Sequence, residues 1–434
     1  MLSFMRARRS LVVGAVGLTL LAVTSGCATA SSDGADGEAV ELSLQIWNPA
    51  DKAGVQNAID AFEDANQNID VTLEQVPEDQ YYTKLDASLG AGEGPDVMWQ
   101  SSRAQYYIDG GAIEPLDDYI AEDNLDLTAL YPEQLVDLYN FDDQQYGIPK
   151  DQDVWMWVYN TAVFEALGVT DVPTTDWTWD DMVRIAEEVK AKQDGSYTAP
   201  MYYPYFFNNG GVSGVIKQLG GEFVEDNEAT VNSAEGIEAY EKVKALQDDG
   251  LILPVASSGD FNAPTAMISG QIAFSKTPSW LLSLLSTADV PEGTFVAVPQ
   301  PEIDGSRATD TNGLSYTMNS NSSHKDEAWD LIKFLTSDEG AKLHAEGGAA
   351  QPANLSADVK AAYFEANKSV SGLKETFEAT IPDQFLRITT EYTAVREIGA
   401  QIESTVMAPF YAGTLTADQA TQQTDDLVNE ALSK

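Results

Sequence analysis

The chain has 434 residues and carries 69 acidic against 24 basic side chains, a formal net charge of −45. Such a surface repels nucleic acid and anionic lipid, which excludes both as partners held by charge. Cys27 is the only cysteine, so no internal disulfide can form; a large apolar core must hold the fold, and 43% hydrophobic residues supply one, divided by length into two lobes.

Arg6, Arg8 and Arg9 precede an apolar run, Leu11 to Val23. That run is shorter than the about 20 residues a spanning helix needs. Thr24-Ser25-Gly26-Cys27 then sets small residues before the cysteine. The pattern resembles a lipobox, with Thr24 in place of the usual Leu, so residues 1–26 read as a lipoprotein signal peptide and Cys27 as the lipidated residue. An ordinary signal peptide with a chance cysteine is the competing reading. The position of the sole cysteine at the cleavage point favours lipidation. Arg8-Arg9 half-matches a twin-arginine signal, which leaves the export route open. The three arginines carry the only charges of this segment, so its removal takes the formal charge to −48. Residues 27–40 are small and polar and read as a flexible tether, and two acyl chains suffice for anchoring.

Leu42 to Trp47 alternates apolar and polar residues, the signature of a strand. Val55, Ala58, Ile59 and Phe62 recur at helical spacing. Ile69 to Leu73 predicts a strand, Tyr82 to Leu89 a helix, and Asp96 to Trp99 a third strand after the turn at Gly94-Pro95. This βαβαβ order predicts an α/β fold with a parallel sheet wrapped by helices. Val154 to Tyr159 is β-rich, with aromatics on alternate positions. Thr178 is placed to cap a helix, with Asp181 as its capping-box partner. Ser233 to Gln247 predicts an amphipathic helix ending at Gly250, and the chain from Lys325 reads as nearly all helix.

Several local patterns then follow in order. They are Gly94-Pro95-Asp96-Val97, Tyr146-Gly147-Ile148-Pro149 with Asp153 and Tyr159-Asn160, and Thr178-Trp179-Asp180-Asp181-Met182. Pro278-Ser279-Trp280, Val298-Pro299 with Gly305, and Ala328-Trp329 through Phe334-Leu335-Thr336-Ser337 complete the set. Over residues 41–434 the chain is similar to family 1 extracellular solute-binding proteins, the carbohydrate receptors of bacterial ABC importers. The resemblance implies a periplasmic-binding-protein-like type II fold, two α/β lobes joined by a hinge with ligand in the interlobe cleft. It places residues 41–149 plus 301–322 in lobe 1 and 150–300 plus 323–434 in lobe 2. It also implies a substrate-binding lipoprotein on the extracytoplasmic face of the cell membrane, passing an oligosaccharide to ABC transporter permease subunits. Such a protein is expected to be a monomer, to touch membrane only through its lipid, to bind no nucleic acid and to need no cofactor.

Sugars ask for flat aromatic faces for their C–H surfaces and planar polar side chains for their hydroxyls. Each hydrogen bond adds only about 0.5–1.5 kcal/mol net, so several must act together. Trp47-Asn48-Pro49-Ala50-Asp51 lies where the first strand meets the first helix, at the carboxyl edge where open α/β sheets bind ligands. Trp47 and Asn48 are read as contacts there and Asp51 as a helix N-cap. Trp99 ends the third strand at the same edge and is read as a cleft residue. Trp155 and Trp157 share one strand face, so at least one is core. Met201 to Asn209 is the densest aromatic stretch, and Tyr203, Tyr205 and Phe206 are expected to face the cleft. By the family resemblance Asp153 matches an acidic sugar-binding position, the 201–209 loop a stacking loop, and Trp280 a stacking tryptophan at a helix start. Asn312, Gly313 and Gln351 are further candidates; Phe385 and Tyr392, expected on a long helix, read as packing residues.

Enzyme readings lack parts. His324 and His344 are the only histidines, and no HExxH, Cys/His cluster, P-loop or GxSxG occurs. Asp151 and Asp153 could stand as the paired carboxylates of a glycosidase, but among 69 acids such pairs arise by chance. A displayed lectin or adhesin would show repeats or a β-sandwich pattern, and neither is visible. The same fold carrying another polar solute, such as a polyamine, would suit the acidic charge. The aromatic density of the loops favours sugar.

Overall fold

The computed structural model of the chain describes residues 39–101, 103–257 and 261–433. Residues 1–38, on which the readings of a signal peptide, a lipidated Cys27 and most of a tether fall, lie outside the described residues. The strands used below are β1 Val40–Ile46, β2 Ile69–Gln75, β3 Val97–Gln100, β4 Ile148–Pro149, β5 Trp155–Asn160 and β6 Met201–Tyr202. They continue with β7 Phe274–Pro278, β8 Phe295–Val298, β9 Thr309–Thr311, β10 Ser315–Met318, β11 Val370–Ser371 and β12 Gln384–Leu386. The helices used below are α1 Lys52–Ala65, α2 Glu78–Gly90, α3 Trp179–Lys192, α4 Ala234–Asp248, α5 Lys325–Thr336, α6 Asp338–Ala345 and α7 Thr393–Ile402.

Two five-stranded sheets, each carrying helices, form two α/β lobes. The first has the order β2-β1-β3-β10-β4. In it β1 runs parallel to both β2 and β3, with Leu44 opposite Leu73 and Val97, while β10 runs antiparallel to β3. Parallel neighbours leave the sheet at the same end, so the residues after β1 and after β3 emerge side by side. The apolar stripe of α1, Val55, Ala58, Ile59 and Phe62, is buried on this sheet as the helical spacing requires.

The second sheet has the order β11-β8-β5-β7-β6, with β5 antiparallel to both β7 and β8. It is covered on both faces, and the alternation of β5 divides it. Trp157 joins one core with Phe274 and Tyr203, while Val154, Met156 and Val158 join the other. The capping box that opens α3 forms as expected: Asp181 N donates to Thr178 Oγ1 (3.2 Å) and Thr178 N to Asp181 Oδ2 (3.0 Å). Ser233 caps α4 by accepting from Gly236 N.

The chain partition departs from the expected one in three places. Val40, assigned to the flexible tether, begins β1, where it is buried and pairs with Ile69. Residues 301–308, expected in lobe 1, lie against the second sheet: Glu302 bridges to Thr178, and Ile303 enters the core around Trp157. Helix α5, expected in lobe 2, packs Trp329, Leu331, Ile332 and Leu335 into the core of the first sheet. Its apolar face matches the surface left by α1 and β10, and Trp329 Nε1 finds Asp123 Oδ2 at 2.7 Å. Among the described residues no helix is long and apolar enough to cross a membrane.

Candidate ligand-binding site

Three chain segments cross between the lobes side by side. Lys150 N donates to Leu314 O (2.8 Å), Asp153 N to Asn312 O (2.7 Å), Gln152 N to Gln351 O (3.0 Å) and Ala353 N to Lys150 O (3.1 Å). Asp153, Asn312, Gly313 and Gln351, far apart in sequence, are thereby brought together as one floor. A Cβ on Gly313 would sit 2.5 Å from Asp151 O, so only glycine allows this approach. Asn312 is buried, and its Oδ1 accepts from Thr390 Oγ1 at 3.1 Å. Gln351 is buried as well, and its Oε1 has no protein partner among the described residues.

The first-lobe wall is the shared exit of β1 and β3. Trp47 is half-buried, its ring edge-on to Tyr81 (4.8 Å) and Trp99 (5.3 Å). Trp99, expected in the cleft, is instead fully buried at 0% exposure. Trp47 covers one side of it, and the Lys150 ammonium lies 3.9 Å from its ring centroid. Asn48 turns inward: its Nδ2 donates to Asp51 Oδ2 (2.7 Å) and its Oδ1 accepts from Ala50 N (3.1 Å). Asp51 stands at the N-cap position of α1 but makes no side-chain cap bond. Its carboxylate accepts from Asn48 and lies 2.6 Å from His344 Nε2 on α6. Burial pushes the Asp51 carboxyl up, but Lys150, His344 and Asn48 outweigh it and hold the group below its ordinary value.

The second-lobe wall is aromatic. Tyr203, expected in the cleft, is core: it is 3% exposed, packs on Trp157 and Trp179, and donates to Gly211 O (3.2 Å). It extends the β6 strand and so points onto the sheet face, whereas Tyr205 and Phe206 stay half-buried with ring centroids 4.6 Å apart. Trp280 is half-buried and edge-on to Trp155 at 5.3 Å, while Trp155 and Trp157 are both buried. Three bonds pin the loop that carries these rings. Phe207 N donates to Glu403 Oε1 (2.9 Å), Asn208 Nδ2 to Thr389 Oγ1 (3.0 Å) and Gly210 N to Asp310 Oδ1 (2.7 Å). Gly210 has φ of +80°, and a Cβ there would enter the Trp155 ring at 2.6 Å. The loop and its rings are thus fixed in place.

Asp153 is held by a partner that no local pattern in the sequence marks. Arg387 Nη2 donates to Asp153 Oδ2 (3.1 Å) and Nε to Asp310 Oδ2 (3.0 Å). The pairing of β9 with β12 brings Arg387 there, and it adds Gln384 Nε2 donating to Asp153 O (2.8 Å). Burial pushes the Asp153 carboxyl up to about 7; Arg387 and Lys150 oppose this, and Asp151 and Asp310 reinforce it. Phe385 lies on the short strand β12 rather than on a long helix, and Tyr392 at the start of α7; with Phe223 and Gln134 they line a separate cavity of about 300 Å³. Among the described residues no group of His, Cys, Asp or Glu is arranged to hold a metal ion.

Residues 47–342 match the sequence model of the bacterial extracellular solute-binding proteins. The chain belongs to that family. A lactose-binding protein of Rhizobium radiobacter is 25% identical to this solute-binding protein over 333 residues, covering 74% of each chain. An arabinooligosaccharide-binding protein of Halalkalibacterium halodurans is 26% identical over 306 residues, covering 65% of this chain and 66% of the relative. Among solved structures, an ABC substrate-binding protein of Listeria monocytogenes in complex with cycloalternan superposes with a TM-score of 0.79 at 21% identity, covering 91% of this chain and all of that one. The fold of the family member described here is thus the periplasmic-binding-protein type II fold.

Proposed function

We propose that this family member is the substrate-binding lipoprotein of an ABC importer, capturing an oligosaccharide outside the cell and handing it to the permease. The observation that carries this reading is the set of half-buried rings, Tyr205, Phe206 and Trp280 on one lobe and Trp47 on the other, about a floor of polar side chains. Rings of this kind offer sugar C–H faces a large contact area at low entropic cost. The lactose- and arabinooligosaccharide-binding relatives support the same ligand class.

The crossing segments 150–153, 311–314 and 351–353 serve as the hinge, and closure of the lobes about them traps the ligand. By this reading lobe 1 is built from residues 40–149 and 314–336, and most of the remainder forms lobe 2. Cys27 carries the lipid anchor, the protein acts as a monomer, and it returns its ligand chemically unchanged. The full chain, run against an immobilised array of neutral oligosaccharides with spermidine as a separate titrant, tests the reading. Capture of at least one oligosaccharide, recovered intact by mass spectrometry, is the expected result. Binding of spermidine alone, or release of cleaved sugar at steady turnover, would contradict it.

A further inference from the structure

We propose that Arg387 is itself a ligand contact, and that with Asp153 it reads two neighbouring hydroxyls of one sugar ring; this rests on the carbohydrate reading above. The guanidinium uses two of its three nitrogens within the protein, Nη2 on Asp153 Oδ2 and Nε on Asp310 Oδ2. Among the described residues the third, Nη1, has no hydrogen-bond partner, and neither has the other carboxylate oxygen of Asp153, Oδ1. The two side chains keep 14% and 16% exposure, whereas the side chain of Asp310 is wholly buried. One ion pair therefore shows the solvent a charged donor and a charged acceptor.

The chemistry of that pair selects its ligand. A cation would satisfy Asp153 and be repelled by Arg387, and an anion would do the reverse. A hydroxyl both donates and accepts, so two on adjacent ring carbons can meet the pair at once, one accepting from Nη1 and the other donating to Oδ1. The pair is also held rigidly. Asp310, which fixes Nε, accepts the backbone N–H of Gly210 as well, so the guanidinium and the aromatic loop share one anchor. Asp153 lies two residues before Trp155, the ring against which Trp280 packs. A sugar held by its hydroxyl edge at Asp153 and Arg387 is thus close to the rings that would take its face.

The probes are the neutral oligosaccharides of a glycan array, lactose, maltotriose and arabinotriose included, followed by monodeoxy forms of the tightest of them. In the wild-type full chain, removal of either of two adjacent hydroxyls should weaken binding by about 10- to 150-fold, the range of a hydrogen bond to a charged group. Removal of any other hydroxyl on that ring should cost less than about threefold. Arg387→Met should weaken the intact sugar to a similar degree and abolish sensitivity to the hydroxyl that Nη1 donates to. Arg387→Lys, which keeps a charged donor, should restore part of the affinity. A deoxy series without an adjacent sensitive pair, or Arg387→Met binding within about threefold of wild type, overturns the assignment. The deoxy series needs no variant, so a misfolded Arg387→Met leaves the test standing. Wild type that binds no arrayed sugar sinks the carbohydrate reading itself, whereas sugar binding without these sensitivities sinks only the role of Arg387.

Discussion

Lys150 Nζ lies 3.9 Å from the centroid of the Trp99 ring and 2.5 Å from Asp151 Oδ2. The ammonium ties the first crossing segment to the end of β3, and it occupies the tryptophan face that a sugar would need. Trp99 is thus covered, and Trp47 beside it stays half-buried.

Trp99→Ala should therefore act on stability, opening a cavity that costs about 3–5 kcal/mol. Lys150→Met should be destabilising too, since it leaves Asp151 buried without its partner, a loss of about 3–5 kcal/mol by comparison with other broken buried pairs. Denaturant titration of the ligand-free protein checks both. A Trp99→Ala protein as stable as wild type with selectively lost sugar affinity would return Trp99 to the cleft.

Lys276, on β7, is 3% exposed, and its ammonium has no ion-pair partner among the described residues, only the Tyr203 ring at 5.0 Å. Burial pushes its pKa down to about 8, with Asp310 opposing. The folded value lies below the unfolded one, so the penalty of charging Lys276 is full below about pH 8 and fades as pH rises toward the ordinary lysine value of 10.5. Lys276→Met should stabilise the fold at pH 7 by on the order of 3 kcal/mol, with the gain shrinking at higher pH. A gain independent of pH would show that the ammonium is already compensated.

For Asp153 the linkage has the opposite sense. Its carboxyl is raised to about 7, first by burial. The proton is bound more tightly in the folded state, so this group's contribution to stability is present at low pH and lost as pH rises through 7. If Asp153 accepts a sugar hydroxyl, affinity should move the other way, rising with ionisation over the same interval. Asp153→Asn should flatten both profiles. Calorimetric titrations and melts at pH 5.5, 7 and 8.5, as chosen conditions, would show it; an affinity profile that Asp153→Asn leaves unchanged would remove Asp153 from the site.

The anchor is tested separately. Cys27→Ala should release the protein into the medium and abolish palmitate labelling. A variant that stays in the membrane fraction with wild-type labelling would refute lipidation at Cys27.

Local spacing reveals what depends on near neighbours. The α1 stripe of Val55, Ala58, Ile59 and Phe62 and the Thr178–Asp181 capping box form as their spacing requires. The site is legible only in part, because exposure there is decided by distant chain. Trp47 follows β1 and Trp99 lies near the end of the parallel β3, yet only Trp99 is fully buried, against Trp47 and a lysine from the crossing segment. Tyr203 and Tyr205 are two residues apart, and the first is drawn into the core by Trp157 and Trp179. Arg387 reaches Asp153 across 234 residues, so no window along the sequence could pair them.

The most direct test of the oligosaccharide site is a calorimetric titration of wild type and Trp280→Ala with the tightest arrayed sugar, paired with melts of the ligand-free proteins. Trp280 is half-buried, so its loss should leave the ligand-free melt nearly unchanged while weakening binding by about 1–3 kcal/mol, or 5- to 150-fold. Tyr205→Ala and Phe206→Ala should behave alike. A large drop in the ligand-free melt of Trp280→Ala, with affinity kept in the folded fraction, would make Trp280 a packing residue and contradict the site.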